Sequence, residues 1–384
     1  MPESRCTSET DSGTGNDDGG SGLDEEEDEE EETVYKGKRS CEGAPHGRGT
    51  LFWPKAGNRF EGRFLHGKRQ GRGTLYFRDG SSLSGTYADD ELEGIATYVY
   101  ADGRYMEARY ENGDMNGRFT EYNPEGEVIG KGYHKDNARS GLLHLTDEFG
   151  ATLTGVVNGE GLLSGNDIIY VYPDHRTALV GVFEDGIMKG AKAATLASSD
   201  MTGDVMPRFE YRTDYPETLE FDQSTHDCIS RNPLVPDHYE QDRVCVAPSS
   251  IPGAGEGLFA KRDLDADTVA SFYNGVRLSH EEVDGRDWSL NDNTISLDDE
   301  VVIDVPQGWS SVESYCASLG HKANHSSGPN CKYDHFVHPR FGPIKCVRTL
   351  RHVSTGEELT CDYGYHHKLP GSEIDDLPSW FKPT

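Results

Sequence analysis

The sequence predicts a mainly β protein, and three observations carry that expectation. Glycine, at 45 of 384 residues, stands above the roughly 7% of average chains, which favours a turn-rich architecture. The aromatic residues lean to tyrosine (19) rather than tryptophan (4), a composition that suits strands. Most telling is a repeat. Aligning Tyr35-Lys-Gly37, Phe60-Glu-Gly62, Leu83-Ser-Gly85, Met106-Glu-Ala108, Gly130-Lys-Gly132, Leu153-Thr-Gly155 and Leu179-Val-Gly181 gives steps of 25, 23, 23, 24, 23 and 26 residues, seven imperfect units of one period.

Before the repeats, residues 1–33 hold fourteen acidic residues, including the unbroken run Asp24 to Glu32, against the single base Arg5. Such a stretch cannot bury apolar surface, so a solvated, disordered tail is expected. Within a unit, Phe60 to Phe64 leads into His66-Gly67, Gly71 to Phe77 returns, and Asp79-Gly80 turns again, which is one hairpin per repeat. A lone hairpin is marginal in water, so the units are expected to stack side by side over residues 34–195 into a twisted antiparallel sheet sharing aromatic rows. Ala108 stands where the other units have glycine, and the fourth unit is expected to be distorted. From 196 to 241 the period fades into polar sequence with prolines at 207, 216, 233 and 236, the expected bridge to a second domain.

Beyond it, Arg243–Val246, Thr268–Tyr273, Glu300–Asp304 and Ile344–Arg348 read as short strands. Val312, Tyr315, Cys316 and Leu319 fall at i, i+3, i+4 and i+7, with Ser310 and Glu313 as a capping box and Gly320 as a stop, and predict one helix.

The formal charge of −31 leaves −18 once the tail's −13 is set aside. A surface of that sign repels DNA phosphates and attracts basic polypeptides, so direct nucleic-acid binding is not expected. The cysteines at 6, 41, 228, 245, 316, 331, 346 and 361 form no Cys-x-x-Cys or Cys-x-Cys pair, which argues against zinc and for free thiols in a reducing compartment. No signal-like or membrane-length apolar run is present, and no membrane span is expected. The repeats also lack the cluster of four to eight Lys or Arg that headgroup recognition uses, so they are expected to position the neighbouring domain rather than bind lipid.

Three segments carry the chemistry: Gly253-Ala-Gly-Glu-Gly257, then Gly320-His-Lys-Ala-Asn-His-Ser-Ser-Gly-Pro-Asn330, then Glu357-Glu-Leu-Thr-Cys-Asp-Tyr-Gly-Tyr365. A dinucleotide fingerprint is excluded for the first, because the third glycine is misplaced and no βαβ alternation follows. In this order the three resemble the signature segments of the SET-domain lysine methyltransferases. Ser271–Val276, Arg286–Trp288 and His338–Cys346 narrow the resemblance to the branch in which hairpin repeats of the MORN type precede the catalytic domain. It implies MORN repeats over 34–195, a bridge over 196–241, a β-rich SET domain over 242–366 with a pseudoknot and few short helices, and a short C-terminal segment over 367–384.

The resemblance implies methyl transfer from S-adenosyl-L-methionine to lysine. An in-line displacement needs donor and acceptor collinear and the amine unprotonated. With a pKa near 10.4, only about one lysine amine in a thousand is neutral near pH 7.4, roughly 4 kcal/mol against reaction. A dry aromatic passage and a nearby sulfonium both disfavour the ammonium. By resemblance Tyr363 is the catalytic tyrosine, Tyr273 and Tyr333 bond the lysine nitrogen, and Tyr365 completes the passage. Ala254, Gly255, Glu256, His321, Asn324, His325 and Trp380 are implied as cofactor contacts, and Asp284, Thr294, Ser296 and Lys345 as the peptide groove. No metal is implied. Thr384 follows Trp380 so closely that the family's C-terminal helix and its acidic cofactor contact are expected to be missing, weakening cofactor affinity. Cys361-Asp362 also replaces the small apolar pair of the branch.

The resemblance further implies a monomeric enzyme placing one methyl on histone tails, lysine four of histone H3 in particular, and on non-histone proteins. Its expected location is the nucleus, chromosome-associated, with the cytoplasm left open. A scaffold reading, in which the repeats bind lipid or protein beside a silent SET domain, is the rival class.

Overall fold

The computed structural model describes residues 33–197, 205–215 and 217–363. The acidic tail, Tyr365 and Trp380 lie outside them. Strands dominate, as the sequence predicts. From Val34–Arg39 to Ile187–Leu196, fourteen strands each pair antiparallel with the next in sequence, and Phe209–Tyr211 and Thr218–Leu219 both add to the last of them, giving a 16-stranded sheet.

The hairpins follow from their turn residues. His66-Gly67, Asp89-Asp90, Asn112-Gly113, Asp136-Asn137 and Asp185-Gly186 all take positive φ at both positions, the two-residue turn whose twist matches its flanking strands. Between units, the turn after Phe77 is held by Asp79, whose carboxylate accepts from both the amide and the hydroxyl of Ser81.

One face of the sheet buries the aromatic row. Phe60 meets Phe64 and Tyr87 edge-on, with centroids 5.4 and 5.0 Å apart. Its ring lies over Gly62 and Gly73, so that a Cβ at either would fall inside the ring's van der Waals envelope. Gly73→Ala is therefore expected to cost about 1–3 kcal/mol by overpacking, seen as a lower urea midpoint at unchanged slope. The distortion expected at Ala108 does not occur. Ala108 is buried, pairs with Ala96 and Phe119, and is followed by the same register shift that follows Gly62. The residue in Phe60's place is Met106, which lacks the ring that excludes a Cβ at Gly62.

Among the described residues, the second half forms three small sheets. Val244–Pro248, Glu256–Ala260, Glu358–Cys361 and Asn324–His325 make the first; Val269–Tyr273, Gly342–Thr349 and Cys331–His338 the second; Val276–Ser279, Val301–Asp304 and Thr294–Ser296 the third. The four strands read from sequence are all present. The helix expected over 312–319 is not. Only one turn forms, with the amides of Ser314 and Tyr315 donating to Ser311 O. Cys316 and Ala317 then donate to Pro233 O, and Leu319 to the Glu240 carboxylate. Tertiary acceptors take the donors that a helix would use internally, and Tyr315, Ala317 and Ser318 are all buried. Ser310 bonds back to Gln307 O instead of capping.

The halves share one apolar core. Phe149 of a repeat turn lies 5.3 Å from Phe336, and Tyr172 stacks on Tyr239 at 4.8 Å with the rings 14° apart.

Candidate active site

Asn324–His325 pairs in parallel with Thr360–Cys361, so the segment leading to Tyr363 lies between Asn324–His325 and the strand Glu256–Ala260. Two asparagines fix this crossing. The Asn324 amide donates to Glu256 O (2.9 Å), Glu358 Oε1 (3.0 Å) and Ser249 Oγ (3.1 Å). Asn330 donates to Glu358 O and accepts from the amide of Thr360, both at 2.8 Å. The Tyr363 amide then donates to His325 Nδ1 at 3.2 Å.

That crossing delivers the tyrosines to one place. The Tyr363 hydroxyl donates to Ala323 O at 2.7 Å, and the Tyr333 hydroxyl donates to the same oxygen at 3.2 Å. The Tyr273 and Tyr333 rings lie 5.7 Å apart, and those of Tyr333 and Tyr363 6.3 Å apart. Tyr273 is fully buried at the end of its strand, directly across from Lys345. Burial pushes the Tyr333 phenol well above its ordinary pKa, with the neighbouring Tyr363 and Cys361 adding to it, so it is a neutral donor. His321 packs between Tyr273 and Tyr315, and burial lowers its pKa to about 3, leaving the imidazole uncharged at neutral pH.

Open backbone lies beside Asn324. Gly253 and Gly255 take positive φ, and a Cβ built on either meets nothing within 4 Å, so the 253–256 turn presents open backbone next to Asn324. The Glu256 carboxylate instead pairs with Lys322 at 2.7 Å. Polar amide, imidazole and exposed peptide groups beside aromatic rings fit the amino-acid and adenosyl ends of S-adenosylmethionine.

Of the residues expected to line a peptide groove, Lys345 stands between the cluster and His335, whose Nε2 accepts from its ammonium at 3.0 Å, and burial lowers its pKa. Thr294 and Ser296 lie on the third sheet, which continues directly from Tyr273, but their hydroxyls donate to Asn291 O and Asp298 O in their own loop. Asp284 is exposed on the short helix His280–Gly285. Glu358, Asn330 and Glu240 were not singled out in the sequence. Glu358 sits within a matched segment and was visible as an acid beside it; Glu240 lies in the irregular bridge, where no period marks a buried side chain. Among the described residues, no group of three or more His, Cys, Asp or Glu side chains is placed to hold a metal.

A hairpin-repeat sheet followed by this crossed, tyrosine-lined site defines a SET-domain lysine methyltransferase with S-adenosylmethionine as methyl donor. Family models agree: the SET domain matches residues 255–364, the MORN repeat matches 42–56, 60–82 and 84–103, and the model for "Histone H3 K4-specific methyltransferase SET7 N-terminal" matches 134–210. Histone-lysine N-methyltransferase SETD7 of Halocynthia roretzi is 48% identical over 353 residues, 91% of this chain and 91% of that protein. Human histone-lysine N-methyltransferase 2B is 29% identical over 126 residues, 30% of this chain and 4% of that protein. The chain belongs to the SETD7 family of lysine N-methyltransferases.

Proposed function

We propose that this enzyme transfers a single methyl group to lysines of histone tails, lysine four of histone H3 among them, and of other basic proteins. The observation that carries the reading is the meeting of the Tyr333 and Tyr363 hydroxyls at Ala323 O, with the Tyr273 ring against Tyr333. In it Tyr363 is the catalytic tyrosine, and Tyr273 and Tyr333 orient the lysine nitrogen, with Tyr365 completing the passage. The burial that raises the Tyr333 phenol's pKa also disfavours an ammonium, which supplies the neutral amine the displacement requires. Bound S-adenosylmethionine supplies the electrophilic methyl. Ala254, Gly255, Glu256, His321, Asn324, His325 and Trp380 hold it, while Asp284, Thr294, Ser296 and Lys345 line the peptide groove.

The histone substrate follows the names of the relatives and the −31 charge, which draws in basic tails. We assign 34–195 to the repeats, 196–241 to the bridge and 242–366 to the catalytic domain, in a monomer that works in the nucleus on chromatin.

Incubation with S-adenosylmethionine and a histone H3 tail peptide, read by mass, tests the reading. The expected product is monomethyl-lysine. Tyr333→Phe removes one hydroxyl that crowds the nitrogen and is expected to yield dimethyl product. Only monomethyl product from that variant would count against the crowding argument.

A further inference from the structure

The helix His238–Gln241 carries a carboxyl group in a place where a charge is costly. Glu240 is about fully buried, at 1% exposure, and burial pushes its pKa up to about 8. One of its oxygens, Oε1, accepts from the Ser271 hydroxyl, from the amide of Phe272 at 2.9 Å and from the amide of Leu319 at 3.0 Å. Phe272 immediately precedes Tyr273, and Leu319 immediately precedes Gly320-His321. A single atom thus ties the strand that presents Tyr273 to the stretch that presents His321, Ala323 and Asn324. The two are already close. A Cβ on Gly320 would stand 2.7 Å from Phe272 O, so this spacing is set to within a fraction of an ångström.

The helix is itself anchored to the hairpin sheet. Tyr239 stacks on Tyr172, which directly follows the sheet strand Gly165–Val171, and donates to Val269 O at 2.8 Å, and Asp237 accepts from the Tyr172 hydroxyl at 2.6 Å. Burying a carboxyl is a poor way to gain stability, since apolar residues of like volume commonly do as well or better. Its geometry serves instead as a fixed strut.

We propose that Glu240 is a positioning residue for methyl transfer: it sets the separation between the Tyr273 strand and the Gly320–His325 stretch, and it makes the hairpin sheet part of the catalytic scaffold. This rests on the roles assigned above to Tyr273, Tyr333 and Tyr363. Side-chain shifts of about 1 Å at a reacting centre cost about a hundredfold in rate.

The test uses the full chain and four variants, Glu240→Gln, Glu240→Asp, Glu240→Leu and Tyr273→Phe, with kcat, KM for S-adenosylmethionine, product multiplicity and thermal midpoint measured on each. Glu240→Gln keeps an acceptor oxygen in the same place and is expected to retain the wild-type kinetics. Glu240→Asp, one methylene short, cannot reach Phe272 and Leu319 together, and is expected to lose about a hundredfold in kcat, raise KM for S-adenosylmethionine and release some dimethyl product. Glu240→Leu is expected to behave like Glu240→Asp. If the Asp and Leu variants differ from wild type only in midpoint or folded fraction, including failure of both to fold, Glu240 is structural alone and the proposal is overturned. If Tyr273→Phe also leaves kinetics and product unchanged, the underlying site assignment fails as well; altered Tyr273→Phe kinetics with unaltered Glu240→Asp kinetics sinks this inference only.

Discussion

Tyr363→Phe is expected to lower kcat by about 10²–10³-fold while leaving KM for S-adenosylmethionine near its wild-type value. The ring stays, so its packing near Tyr333 and His325 survives, and the amide that donates to His325 Nδ1 is untouched. What disappears is one oxygen, held 2.7 Å from Ala323 O by a hydrogen bond that turns its remaining lone pairs away from that carbonyl. In a displacement whose transferring carbon carries partial positive charge, an oriented oxygen beside the path stabilises the transition state more than the bound reactants, and only such differential contacts raise kcat. The loss corresponds to about 3–4 kcal/mol of barrier. Single-turnover methylation of a histone H3 tail peptide at saturating S-adenosylmethionine measures it. A rate for Tyr363→Phe close to that of the wild type would remove Tyr363 from the chemistry.

Much of this architecture is readable in the chain because its hairpins are local. Each repeat carries its own turn residues and its own period, and Tyr35, Phe60, Leu83, Met106, Gly130, Leu153 and Leu179 fall on alternate strands of the hairpin sheet as the spacing requires. The candidate site was legible for a different reason: the three matched segments supply Tyr363, Asn324, His325 and the 253–257 turn as contiguous words. Where the reading failed, contacts distant in sequence decide the outcome. Val312, Tyr315, Cys316 and Leu319 keep a helical period, yet Pro233 and Glu240, some 80 residues earlier, take the backbone donors. Ala108 was read against the glycines of its neighbours, but at Gly62 the constraint is the Phe60 ring, and Met106 puts no ring in that place. Glu240 itself is an acid in a polar, proline-bearing segment, indistinguishable by composition from Glu217 or Glu220.

The second large effect concerns stability, and it falls at the junction of the two halves. Asp237 is fully buried and receives four donors: the amides of Tyr239 and Glu240 at 2.9 and 3.1 Å, the Tyr172 hydroxyl at 2.6 Å and His338 Nε2 at 3.2 Å. Burial by itself would raise the pKa of this carboxyl, but the hydrogen bonds from the His338 imidazole, itself kept uncharged by burial, and from the Tyr172 hydroxyl hold it below the usual carboxylate range. Asp237→Ala uncaps the helix His238–Gln241 and leaves a phenol and an imidazole buried without their acceptor, so it is expected to cost about 3–5 kcal/mol. Domains are stable by only about 5–15 kcal/mol, so a loss of that size takes a large share of the margin. Because Asp237 bonds Tyr172 from the hairpin sheet and His338 from the second half, the variant is also expected to loosen their coupling, separating one urea transition into two. The pH dependence has a definite sign. A carboxyl whose folded pKa lies below its unfolded value of about 3.9 contributes its stability above that value and loses it as pH falls through the folded pKa. The wild type and Asp237→Ala should therefore differ most near neutral pH and converge in strong acid. Equal urea midpoints for the two proteins at pH 7, with a single transition in each, would show that the junction is held by its aromatic packing alone.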